Sequence, residues 1–187
     1  MMGLFQIAAE LQSLFNQNEW SFCFIGGLAL QRWGEPRLTV DVDVTLLTGF
    51  GSEDRFVDAV LDRYAARRAD AREFALASRV LLVQSAEGVG IDIALGGLPF
   101  EERMAERSSH FQFTEKVSLR TCSAEDLIVM KAFAARERDW LDLQGIVIRQ
   151  GGTLNWDLIS AELNPLCDLK EAPEIMDRLE DIRRRFQ

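Results

Sequence analysis

Leu4, Ile7, Ala8, Leu11, Leu14 and Phe15 recur at helical spacing, so the chain is predicted to open with an amphipathic helix. Trp20 to Ile25 is a short aromatic and β-branched run that stops at Gly26-Gly27, the pattern of a buried strand. Leu28 to Trp33 suits a short helix, ended by Gly34 and Pro36. Thr39 to Leu47 alternates most cleanly: Val40, Val42 and Val44 fall on one strand face, and Asp41, Asp43 and Thr45 on the other.

Ser52-Glu53-Asp54, followed by Phe56, Val57, Val60, Leu61 and Tyr64, predicts a capped helix. Val80 to Val83 and Ile91 to Leu95 predict two strands joined by a turn around Glu87-Gly88, and Pro99 opens a helix over Phe100 to Arg107. Phe111 to Leu119 supplies a last extended segment. From Ser123 the pattern is helical, with breaks expected near Gly151-Gly152, Pro165 and Pro173. Strands therefore cluster early and helices follow, an α+β arrangement. We expect an α/β core over residues 1–120 and a helical region over 121–187 packed on it. No internal repeat or low-complexity tract is present.

Composition narrows the classes. The 187 residues are 48% apolar and 27% charged, which fits a chain that buries a core and excludes a disordered acidic tail. Thirty acidic against 21 basic residues, a formal charge of −9, argue against general coating of a polyanion. Cys23, Cys122 and Cys167 are odd in number and widely spaced, which suits neither a disulfide framework nor a zinc knuckle. With no basic leader pattern and no long apolar run, a cytoplasmic protein without a membrane span is expected.

The chemistry centres on acids. Asp41 and Asp43 project from one strand face, and two carboxylates so close resist joint ionisation unless a cation lies between them. A hard divalent ion such as Mg²⁺ (or Mn²⁺) answers that need and brings phosphate oxygens with it. A D-x-D pair alone is more often a solvated strand face. Asp92 adds weight, because it interrupts the apolar run Gly90-Ile-Asp-Ile-Ala, where a carboxylate is costly unless paired or metal-bound. Gly26-Gly27, between a strand and a helix, lets backbone N–H groups approach a phosphate at a helix N-terminus. Taken alone, such a pair is more often a tight turn.

Other systems are disfavoured. No P-loop, G-x-G-x-x-G or G-x-S-x-G is present, and His110, beside Phe111 and Phe113, is the one histidine. Arg183-Arg184-Arg185 is more simply a solvated helix end, and the four tryptophans are scattered.

Phe24-Ile-Gly-Gly-Leu-Ala-Leu, Thr39-Val-Asp-Val-Asp-Val-Thr and Gly90-Ile-Asp-Ile-Ala together resemble the nucleotidyltransferase fold of the DNA polymerase β superfamily. The stretch from Ser123 through Leu143, with Lys131, Arg138, Asp139 and Asp142, is similar to the C-terminal signature of the AbiEii-type toxins, a helical Lys followed by Arg-Asp-x-x-Asp. The likeness runs from about Phe24 to about Ile148. It implies a mixed sheet with flanking helices and a Mg²⁺-dependent transfer of a nucleoside monophosphate from an NTP to RNA, such as tRNA, or to protein. It also implies a partner antitoxin.

In that scheme Asp41, Asp43 and Asp92 bind metal and Asp92 serves as base. Gly26 and Gly27 cradle phosphates, Lys131 neutralises the leaving pyrophosphate, and Arg37, Arg138 and Asp139 belong to the nucleotide site. Many relatives carry Ser or Thr directly after the first or second Gly, where this chain has Leu28, for which Arg37 is a candidate compensation. Two other readings stand beside it: a non-catalytic binding or regulatory module of the same fold, and a small-molecule nucleotidyltransferase of the aminoglycoside-modifying type.

Overall fold

The apolar stripe of α1 (Met2–Gln17) is buried along its length, with Ala8, Leu11 and Phe15 fully enclosed. This computed structural model describes the backbone of residues 2–186. The chain divides into two compact units, one comprising residues up to Leu28 with Leu38–Cys122, the other Ala29–Arg37 with residues from Ser123 onward.

The first unit is built on a seven-stranded sheet: β1 (Phe22–Phe24), β2 (Asp41–Leu47), β3 (Ala65–Ala66), β4 (Val80–Gln84), β5 (Gly90–Gly96), β6 (Ser109–Thr114) and β7 (Val117–Thr121), in the order β3-β4-β5-β2-β1-β7-β6. β2 runs parallel to β5, and β1 to β7; the remaining pairs are antiparallel. The alternation read from β2 sets its faces. Val42, Val44 and Leu46 are wholly buried with Phe22, Phe24, Ile91 and Ile93 in a core that includes the α1 stripe. Each such side chain stabilises the fold by roughly 1.5–3 kcal/mol relative to exposure. Gln12 of α1 ties helix to sheet, donating to the Ser118 carbonyl at 2.9 Å and accepting from the Arg120 amide at 2.9 Å.

Several local expectations change. Val40 lies before the first β2–β5 pair, Asp41 with Gly90, so no neighbouring strand covers it and it is 69% exposed. Helix α3 (Glu53–Leu61) starts after Ser52, whose side chain makes no capping bond. The last extended segment is two strands, because the Thr114 hydroxyl accepts from the amides of Lys116 and Val117 and turns β6 into β7. Strand β3 and helix α4 (Ala71–Ser78) form where no element was expected, α4 on the small buried anchors Ala71 and Ala75. Helix α5 (Pro99–Arg107) follows the proline as predicted and packs against β1 and β2.

The short helix α2 (Gly26–Trp33) leads out of this unit, beginning at the glycines themselves. The second unit holds α6 (Ala124–Ala134), α7 (Glu137–Gln150), a 3₁₀ turn at Gly151–Thr153, α8 (Trp156–Lys170) and α9 (Glu174–Phe186). Ser123 caps α6 by accepting from the Asp126 amide at 3.0 Å, and Ala135 in left-handed conformation separates α6 from α7. Pro165 breaks nothing: α8 runs through it, held by buried Ile159, Leu163, Leu166 and Cys167. That packing offsets the backbone bond a helical proline forfeits. The end of α2 and the segment after it are tied to α7, where the Gln150 side-chain Nε2 donates to the Trp33 carbonyl at 2.6 Å and Gly145 leaves room for Glu35. The three cysteines are buried, and none forms a disulfide among the described residues. Among the described residues, no helix is long and apolar enough to cross a membrane.

Candidate active site

Asp43 of β2 stands opposite Asp92 of β5 in the parallel register, and Asp41 opposite Gly90. Residues so paired point to the same side, on strands roughly 4.8 Å apart. The three acids therefore share the sheet face opposite the α1 core, each partly exposed, while Thr45 further along that face is buried. Sequence alternation placed the first two side by side; only the β2–β5 pairing adds the third.

The glycine turn closes over this face. The Ile25 amide donates to the Asp43 carbonyl at 3.0 Å, so β1 ends beside Asp43, and the chain turns at Gly26 with φ +54°. A Cβ on Gly26 would stand 2.1 Å from Asp43 Oδ2, so no side chain fits there. Gly27 donates its N–H to the same carboxylate oxygen at 3.4 Å, which places an acid at the positive end of α2. A Cβ on Gly27 would meet the Thr39 hydroxyl at 2.2 Å, and that hydroxyl donates to Asp41 Oδ1 at 3.2 Å. Leu28 is wholly buried in the core, so what faces the turn at this point is backbone rather than a hydroxyl.

Asp92 carries a partner that no motif announced. The guanidinium of Arg67, just beyond β3, forms an ion pair with it. Burial pushes the Asp92 carboxyl above the usual aspartate range; Arg67 pulls it back, and the charge of Asp41 adds to the rise. Each acid thus has its own partner: Thr39 for Asp41, Gly27 for Asp43, Arg67 for Asp92.

A divalent cation suits this face in donor chemistry, since three hard carboxylates share one side and two of them repel. As the side chains stand, no group of three His, Cys, Asp or Glu among the described residues converges closely enough to hold a metal ion. Asp43 Oδ2 accepts from the Gly27 N–H and Asp92 faces Arg67, so both carboxylates already have partners on this face.

The second cluster lies within the helical unit. Lys131, expected at the leaving pyrophosphate, is only 6% exposed, and its ammonium binds Asp139 Oδ1 at 3.1 Å and Asp142 Oδ2 at 2.6 Å. Asp142 also accepts both arms of the Arg37 fork, Nε and Nη2, each at 3.0 Å. Arg136 holds Asp139 through Nε at 2.6 Å. Arg138, the cation the sequence pointed to, is exposed on α7. Burial raises both aspartates, but the guanidiniums and the Lys131 ammonium outweigh it and hold Asp139 and Asp142 below the usual carboxylate range. Lys131 is therefore the cation of a buried ion cluster that grips Arg37. Arg136 and Arg67 were missed because neither belongs to a spaced motif.

A mixed sheet carrying paired aspartates beside a strand–Gly-Gly–helix turn defines a nucleotidyltransferase-type protein. The family model described as nucleotidyl transferase AbiEii toxin, type IV TA system, matches residues 13–164, and the chain belongs to that family of nucleotidyltransferases. The family description places it among toxins of toxin–antitoxin systems. No curated protein matches the sequence. Among solved structures, an antigenic nucleotidyltransferase-like protein from Paracoccidioides brasiliensis is similar over 95% of this chain and 92% of its own, with a TM-score of 0.53 and 11% identity. At that identity the likeness speaks to the fold alone. ANT(2'')-Ia, crystallised with adenylyl-2''-tobramycin, aligns over 100% of both chains at 14% identity, with a TM-score of 0.48.

Proposed function

We propose that this chain is a Mg²⁺-dependent toxin that moves a nucleoside monophosphate from an NTP to an RNA, such as a tRNA end, or to a protein, and that a partner antitoxin neutralises it. The observation that carries the reading is the register of β2 and β5, which sets Asp43 against Asp92 on the face closed by Gly26 and Gly27. Asp41, Asp43 and Asp92 would hold Mg²⁺, which would supply charge neutralisation for the attacking and leaving oxygens.

In this proposal Asp41 and Asp43 hold the metal, and Asp92 both helps to hold it and accepts the proton of the acceptor hydroxyl. That oxygen attacks the α-phosphorus, and the bond to the pyrophosphate oxygen breaks. Gly26 and Gly27 present backbone N–H groups to the triphosphate at the N-terminus of α2. Thr39 keeps Asp41 oriented. Within the helical unit, Lys131, Asp139 and Asp142 fix Arg37.

The test uses each of the four NTPs labelled either at the α- or at the γ-phosphate, with total RNA and total protein as acceptors. Label from the α-position alone, dependent on Mg²⁺ and absent with Asp41→Asn, is the expected result. Label from the γ-position, or equal labelling by wild type and Asp41→Asn, would contradict it.

A further inference from the structure

Arg67 is fixed at its root, because its backbone N–H donates to the Leu82 carbonyl at 3.1 Å. From there its side chain crosses Gly90, where a Cβ would stand 2.9 Å from Nη1 and 3.8 Å from the Asp41 Cβ, and the guanidinium reaches Asp92. A side chain at position 90 would press on the guanidinium, which would have to shift. Both members of the pair remain about a third exposed, at 32% and 35%, so ions and solvent reach them.

We propose that Arg67 is a positioning residue that acts as the counter-cation of Asp92 and competes with a divalent ion for its carboxylate. The inference rests on the reading of Asp41, Asp43 and Asp92 as the metal-binding face. A partly desolvated carboxylate beside a second acid needs a cation, and here a guanidinium supplies it. A guanidinium does not lose its proton, so the charge is relieved only by moving the side chain. A metal approaching Asp92 therefore meets a fixed like charge, and its affinity for the empty protein is held down. A triphosphate changes that balance, because its oxygens accept both the metal and the displaced guanidinium. Metal and nucleotide then load together instead of metal loading first.

Mn²⁺ titration of the full chain without nucleotide, followed by electron paramagnetic resonance, reads this directly. Arg67→Gln is expected to tighten Mn²⁺ binding about tenfold, the order expected from removing one like charge at short range. Arg67→Lys, which keeps the charge without the planar fork, is expected to stay within about threefold of wild type. In an Asp92→Asn background, Arg67→Gln is expected to change the affinity by less than about twofold, since the two residues act through one pair. Thermal melting without metal checks that each variant folds. Equal or weaker Mn²⁺ binding by Arg67→Gln, with wild type binding the ion, would overturn the role of Arg67 while leaving the metal face intact. No Mn²⁺ binding by any variant would overturn the metal face itself, and the role of Arg67 with it.

Discussion

Gly26 and Asp43 fill one space: a Cβ on the first would stand 2.1 Å from Oδ2 of the second. The positive φ of Gly26 and the approach of the carboxylate are thus two aspects of one turn. Gly26→Ala is expected to cost about 2 kcal/mol in urea denaturation, combining a left-handed alanine with a displaced acid, and to lower transfer at least tenfold. Gly88 has the same sign of φ with open space around it. Gly88→Ala is therefore expected to cost only about 1 kcal/mol and leave transfer unchanged.

Removing the acids separates function from stability. Asp43→Asn and Asp92→Asn are each expected to lower nucleotidyl transfer by about 100-fold or more, the scale of losing one group that stabilises developing charge. Their unfolding free energies should stay within about 1 kcal/mol of wild type, because both positions are partly exposed. Transfer rates and denaturation curves on the same preparations check the pair of statements.

Lys131 behaves in the opposite way. Replacing it by Met leaves Asp139 with Arg136 alone and Asp142 with Arg37 alone, without the ammonium that lies between them, and a loss of about 2–3 kcal/mol is expected in denaturation experiments. Adding Asp142→Asn to Lys131→Met removes one of the two carboxylates that lost the ammonium and is expected to restore part of that loss. A stability loss below about 1 kcal/mol for Lys131→Met would mean that the cluster does not hold the helical unit together.

The same cluster sets an acid limit. Asp139 and Asp142 titrate below their unfolded value of about 3.9, so their contribution is present above that pH and disappears as pH falls through the lower folded values. Stability should therefore be insensitive to these groups from about pH 6 to 5 and decline below about pH 4. Denaturation midpoints across pH 3–8 check this decline.

Much of this architecture is legible where local periodicity and burial agree. The α1 stripe, the Val and Asp alternation of β2 and the apolar flanks of Asp92 all repeat with the period of the element they form. Agreement fails where tertiary contacts decide. Ala65-Ala66 forms a strand only by pairing with β4, and Pro165 is carried inside α8 by the buried residues around it. The candidate acids could be named because their spacing is local. Their partners could not: Arg67 meets Asp92 from 25 residues away and Arg37 meets Asp142 from 105, with no spacing to announce either. Lys131 was visible as a residue, but its burial between two aspartates follows from how α6 and α7 pack.

A crystal structure of the chain with Mg²⁺ and a non-hydrolysable NTP analogue tests the central claim most directly. The account predicts Mg²⁺ at about 2.0–2.1 Å from carboxylate oxygens of Asp41 and Asp43, the triphosphate against the amides of Gly26 and Gly27, and Asp92 beside the α-phosphorus. A nucleotide bound elsewhere, with Asp43 still turned to Gly27 and no metal on either acid, would contradict it.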